Sequence, residues 1–283
     1  MKLSALAIAT ALFSTSVLAA PLTLQTYNPQ ENAIFAVNST LASGPHEAVL
    51  FDAQFSVKDG EKLVEMIQKS GKKLTRIVIT SGDPDFYFGL EPLVKAFPDA
   101  KVVATAEVVK HINATKEAKL AYWGPQMKDG APKQVYVPQA LTTNTFSIDG
   151  EKVEIRQPQN YAAYVWITAK KAKLEDTGLA WGMHVWTADT QSVESRQQWI
   201  NTLDEMAALH PQQVIPGHYL GTPPAGDRAI TFTRDYLTQF EQALNAHKDS
   251  AGVIKAMKQR WPGLAEESSL DLSARVNTGE MKW

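Results

Sequence analysis

Cysteine is absent from all 283 residues, so no disulfide and no thiolate chemistry is available to this chain. Histidine is scarce, with six in the whole chain, which limits nitrogen ligands for metal ions. A basic excess is also missing: 28 Lys and Arg stand against 30 Asp and Glu, for a formal charge of −2. That balance and the lack of any basic cluster argue against a nucleic-acid partner. Beyond the N-terminus, no run approaches the roughly 20 apolar residues of a membrane span. What is present in quantity is apolar surface, 44% of the residues, enough for a sizeable core.

The N-terminus has the order of a secretory signal. Lys2 supplies a positive start, Leu3 to Leu18 is almost wholly apolar or small, and Val17-Leu18-Ala19 ends in small residues at the positions a signal peptidase reads. The expectation is a signal peptide over 1–19 and one domain over 20–283, exported to the periplasm or secreted, with no membrane span. Stability then rests on core size alone, without disulfides.

Hydrophobic periodicity places alternating strands and helices along the chain. Strands are expected at Leu22 to Tyr27, Ala33 to Val37, Glu47 to Phe51, Thr75 to Thr80 and Lys101 to Ala104. Helices are expected at Lys58 to Ser70, stopped by Gly71, at Leu90 to Phe97 and at Ala106 to Leu120. The second half repeats the order. Thr145 to Arg156 reads as a hairpin turned at Asp149-Gly150, followed by strands at Ala163 to Thr168, Gly178 to Trp181 and Gln213 to Pro216. An amphipathic helix is expected over Val193 to Leu209, and two helices, Asp227 to His247 and Ser250 to Arg260, close the chain. Such blocks predict a layered α/β protein.

Chemistry concentrates at Thr80-Ser81-Gly82-Asp83-Pro84-Asp85-Phe86-Tyr87-Phe88-Gly89-Leu90. A strand ends there, a polar turn follows and a helix begins, which is where α/β sheets hold ligands. Asp83 and Asp85 are spaced so that both carboxylates can share one small volume. The same residues also suit a plain turn with a helix cap.

The wider pattern resembles the metallo-β-lactamase superfamily. Its Thr-His-x-His-x-Asp-His loop and following Gly-Leu are matched in outline by Thr80, Asp85, Gly89 and Leu90. Val214-Ile215-Pro216-Gly217-His218 is similar to its Pro-Gly-His segment, Val49-Leu50-Phe51-Asp52 to its early strand ending in Asp, and Gly182-Met183-His184-Val185-Trp186 to another of its segments. The resemblance covers about residues 22 to 245. It implies a four-layer αβ/βα sandwich and a pair of zinc ions that activate a water.

Carrying the ligand positions over residue by residue leaves a depleted set. The first two histidine positions hold Ser81 and Asp83, the aspartate is kept as Asp85, and the next histidine is Phe86. The mid-chain histidine falls near Asn160 and the bridging aspartate near Thr177, while the last histidine is kept as His218. Zinc sites need about three good ligands. The survivors, Asp83, Asp85 and His218, imply at most one divalent ion: zinc, or a harder Mg²⁺, Mn²⁺ or Ca²⁺. Ser81, Phe86, Tyr87, Asn160, Thr177 and His184 are the expected lining of the cleft, with Trp181 and Trp186 near it. His184 reads as a hydrogen-bonded core histidine, and Ser81 has no evident histidine base to make it a nucleophile.

Two functions remain open on these residues. One is a non-catalytic protein that binds a small molecule in the old cleft. The other is a single-metal hydrolase of an ester, lactone, amide or phosphoester, with Asp85 in the catalytic role.

Overall fold

The computed structural model of this chain describes residues 22–158, 162–168, 172–174 and 178–283. The expected signal peptide lies outside them, as do Asn160 and Thr177. The first six strands form one sheet in chain order: β1 (Thr23–Tyr27), β2 (Ser39–Ser43), β3 (Glu47–Phe51), β4 (Lys73–Ile79), β5 (Lys101–Ala104) and β6 (Gln139–Ala140). β1 to β3 pair antiparallel and β3 to β6 pair parallel. The parallel steps carry helices α1 (Val57–Ser70), α2 (Leu90–Ala96) and α3 (Ala106–Met127) between them. α1 starts at Ser56, whose hydroxyl accepts from Asp59 N, and stops at Gly71 with φ 66°.

A second sheet is built from β7 (Thr145–Ile148), β8 (Glu151–Arg156), β9 (Tyr164–Ile167), β10 (Ala172–Leu174) and, after the short β11 (Ala180–Trp181), β12 (Gln213–Ile215). Its order is β12-β10-β9-β8-β7. β7 and β8 are joined at Asp149 and Gly150, with φ of 46° and 88°, the positive pair that a type I′ turn requires. β11 lies outside this sheet and pairs parallel with β13 (His218–Tyr219). Helices α4 (Val193–Ala208), α5 (Arg228–Ala246), α6 (Ser250–Arg260) and α7 (Glu267–Asn277) complete the second half.

The alternation of side chains along the strands produces the layers. On β3 and β4, Ala48, Leu50, Ile77 and Ile79 face Leu63, Ile67, Leu90, Leu93 and Val108 of the first helical layer. The intervening Val49, Phe51 and Val78 face the other way and meet Val153, Ile155, Val165 and Ile167 of the second sheet. Tyr164 and Val214, on the far side of that sheet, meet Leu203, Met206, Ile230 and Leu237 of α4 and α5. Helix, sheet, sheet, helix is the expected four-layer αβ/βα sandwich. Among the described residues no helix is long and apolar enough to cross a membrane.

Three expectations are corrected. Ala33 to Val37 is not a strand; within it only Val37 makes a bridge, to His218, and the strand begins at Ser39. α3 runs on past Leu120 to Met127. A third closing helix, α7, follows the two that were expected.

Candidate functional site

The Thr80–Leu90 loop leaves the C-terminal end of β4 and is held from beneath by Asp52. That residue follows β3 in a left-handed conformation, φ 59°, fully buried. Its carboxylate accepts from the Thr80 amide at 2.7 Å and the Thr80 hydroxyl at 2.6 Å. Gly89 has no room for a side chain: a Cβ there would meet the Ala53 carbonyl oxygen at 2.1 Å. These residues fix the loop's path and involve no ligand.

The loop places its polar groups unequally. Asp85, in a single turn over Pro84–Phe86, meets His218 of β13, with Oδ2 2.7 Å from Nε2. Phe86 lies edge-on to the same imidazole, ring centres 5.3 Å apart. Asp83 instead faces Lys119 of α3, Oδ1 to Nζ 4.0 Å, and its amide donates to Ser81 Oγ at 3.1 Å. Ser81, Phe86 and Tyr87 are fully buried and lie beneath the cleft rather than in its wall. Burial, then Asp83 and Asp85, push the Tyr87 phenol upward, so it stays protonated.

Above Asp85 and His218 opens a cavity of about 250 Å³. Its wall includes Phe35, Trp123, Trp186, Trp199 and Trp283, together with Met183, Val185 and the polar residues Asp83, Lys119, His184, Asp189 and Ser269. The aromatic rings meet near right angles. Phe35 is 5.1 Å from Trp123 at 78° and 6.4 Å from Trp186 at 79°, and Trp186 is 5.3 Å from Trp283 at 70°. Both of those last indoles donate to one carboxylate: Trp186 Nε1 to Asp189 Oδ2 at 2.6 Å, and Trp283 Nε1 to Asp189 Oδ1 at 2.9 Å. Trp181 packs against Phe232 instead.

His184 is buried, with Nδ1 2.9 Å from the Tyr236 hydroxyl, as expected of a core histidine, and it touches the cavity as well. Burial holds its pKa below the usual value, with Lys258 adding to the shift and Glu267 opposing it. α7 brings Ser269 to the wall and Glu266 into the field of His218; burial raises the Glu266 pKa against that field. Lys119, Asp189, Trp123 and Trp283 have no local signature in the sequence. They come from separate segments and meet only in the folded chain.

Among the described residues the donor set does not fit a zinc pair. Asp85 Oδ2 and His218 Nε2 engage each other at 2.7 Å, and where the carboxylate is ionised it is the Nε2–H tautomer of His218 that donates. Position 81 is a buried hydroxyl, position 86 a buried phenyl ring, and Asp83 is turned to an ammonium. Among the described residues no three His, Asp or Glu side chains gather as a metal-binding group. Of the three residues carried over as ligands, Asp85 and His218 are in contact, while Asp83 borders the same cavity with its carboxylate 4.0 Å from the Lys119 ammonium.

No family model and no curated protein matches the chain. Solved structures do. A β-lactamase domain protein from Burkholderia ambifaria aligns with a TM-score of 0.64 at 13% identity, over 90% of this chain and 84% of that one. A metallo-β-lactamase family protein from Thermus thermophilus aligns at 0.60 and 15% identity, over 87% and 91%. A metallo-β-lactamase from Hirschia baltica aligns at 0.53 and 13%, over 78% and 98%. The chain has the metallo-β-lactamase fold.

Proposed function

We propose that this is an exported, non-catalytic protein that holds a small molecule in the cleft of a metallo-β-lactamase fold. The observation that carries the reading is the 2.7 Å bond between Asp85 and His218, which turns the two surviving ligand positions toward each other. The cavity over that pair supports it: aromatic and apolar groups with a few placed polar ones are the usual make-up of a small-molecule site. Its size, about 250 Å³, falls just below the range of drug-sized sites, which starts at roughly 300 Å³, and so suits a compact ligand.

A second reading has one observation in its favour, the convergence of Asp85 and His218 from distant segments. In it they hold one divalent ion that activates water for hydrolysis. Thermal denaturation with a small-molecule library, run in chelator and again with added zinc, separates the two. Stabilisation that is indifferent to chelator is expected. Stabilisation that appears only with metal, together with stoichiometric metal lost in Asp85→Ala and His218→Ala, would overturn the binding reading. Export is tested by sequencing the N-terminus of protein recovered outside the cytoplasm, which should begin at Ala20.

A further inference from the structure

We propose that the ligand of this cleft is a small organic cation, an ammonium group carried on a compact apolar body. The proposal rests on the binding reading and gives it a ligand class.

Charge is the first argument. The described wall holds three carboxylates, Asp83, Asp85 and Asp189, and a single Lys or Arg, Lys119. Counting His218 as protonated still leaves a negative excess among the described wall residues. A negative excess in a partly enclosed, apolar-walled site repels anions. A neutral ligand would displace water from it and leave the excess uncompensated.

The second argument is the shape of the aromatic wall. Trp186 and Trp283 turn their N–H edges to Asp189 and stand at 70° to each other. Phe35 stands at 79° to Trp186. Each edge-to-face contact uses the edge of one ring and one face of the other, so the three rings border the cavity with the N–H edges of both indoles tied up on a carboxylate and part of their π-surface still unused by one another. Such faces attract ammonium groups, most strongly those that are poorly hydrated.

The cleft already holds one ammonium in this way, and that is the third argument. Lys119 Nζ lies 4.0 Å from Asp83, 3.8 Å from Asp189 and 5.9 Å from the centre of the Trp283 ring. The chain's own cation thus shows the chemistry of recognition on one side of the cavity. A bare metal ion fits the same surroundings poorly, because an ammonium already sits between Asp83 and Asp189, Asp85 is engaged by His218, and the rings supply no lone pairs.

The test uses the full mature protein in chelator, with a panel of primary and quaternary ammonium ions and the uncharged carbon isostere of each. (2-Hydroxyethyl)trimethylammonium against 3,3-dimethylbutan-1-ol is one such pair. Indole fluorescence and calorimetry report binding. At least one cation is expected to bind about tenfold more tightly than its isostere, with affinity falling as salt rises. Trp186→Leu should weaken it about tenfold. Lys119→Gln should tighten it severalfold, because it removes a like charge without emptying the wall. That gain is not a consequence of misfolding. Isosteres that bind as tightly as the cations would overturn the cation proposal while leaving the binding reading intact. Loss of binding in Lys119→Gln would overturn it too, pointing to an anion. If neither the panel nor a general fragment set binds, the cation proposal and the binding reading fall together.

Discussion

Asp85 Oδ2 and His218 Nε2, 133 residues apart in sequence, lie 2.7 Å apart in the fold. Each occupies a position where the superfamily resemblance implies a metal ligand, and each is satisfied by the other. Replacing His218 with Ala removes a hydrogen bond to a nearly buried carboxylate, which costs about 1.5–3 kcal/mol. Chemical denaturation of His218→Ala should show that loss, and zinc should not restore it. Zinc should also leave the melting temperature of the unaltered protein unchanged. A zinc-dependent rise that disappears in His218→Ala would show that the pair opens to take metal.

The loop that carries Asp85 is set by residues with no ligand role. Asp52 grips the Thr80 amide and hydroxyl, and Gly89 passes under the Ala53 carbonyl. Thr80→Val takes one donor from a buried carboxylate and should cost about 1–3 kcal/mol. Gly89→Ala forces a Cβ into backbone rather than into a flexible side chain, so it should destabilise by at least as much, about 1–3 kcal/mol for overpacking. Urea midpoints for the two variants check both values.

Those same residues explain how much of the protein is legible in its sequence. Asp52, Thr80 and Gly89 set the backbone path and Leu90 packs in the first core, and these are the residues by which the sequence announces the fold. Strands with a strong apolar run, such as Glu47–Phe51, are legible to the residue. β2 escapes because it buries polar groups: Ser39 Oγ accepts from Gln54 Nε2 and Thr40 Oγ1 from Asn38 Nδ2, and burial of that kind leaves no apolar pattern. α7 escapes for a similar reason, since its buried face uses Ser269, Ser273 and Ala274 beside Leu270. Of the residues the sequence points to, Asp83, Asp85, His184, Trp186 and His218 border the cavity. Asp83 reads as the partner of Asp85 and His218 along the chain, and Lys119 from a neighbouring helix claims it.

Arg196 ties the cleft wall to the helical layer. Its Nε lies 2.6 Å from Glu241 of α5, and its Nη1 donates to Asn277 of α7 at 2.7 Å and to the Thr190 carbonyl at 3.1 Å. Asn277 in turn donates to the Thr187 carbonyl at 3.0 Å, so the segment with Asp189 is held on both sides. Arg196→Ala should cost about 3–5 kcal/mol, because it leaves Glu241 without its partner in a half-buried setting. Arg196→Met with Glu241→Leu should recover most of that loss. A double-mutant cycle measures the difference. Additive losses would mean that the two side chains do not act as a pair.

The buried imidazole of His184 makes stability depend on pH in a fixed direction. Burial lowers its pKa in the folded chain, and burial also lowers that of His111. An unfolded histidine takes up its proton at about pH 6.5, while the folded one resists until the pH is lower. Between those two points the unfolded state binds more protons, so acid favours unfolding there. The stability contribution is therefore full above about pH 6.5, falls as the pH drops toward the lowered folded value, and levels off below it. His184→Gln has no titrating ring, so its stability should fall less steeply between about pH 7 and 5 than that of the unaltered protein, with the remaining slope including His111 and, with the opposite sign, Glu266. Urea midpoints across that range decide the point. An equal or steeper slope in His184→Gln would show that the imidazole beside Tyr236 accepts its proton without disturbing the fold.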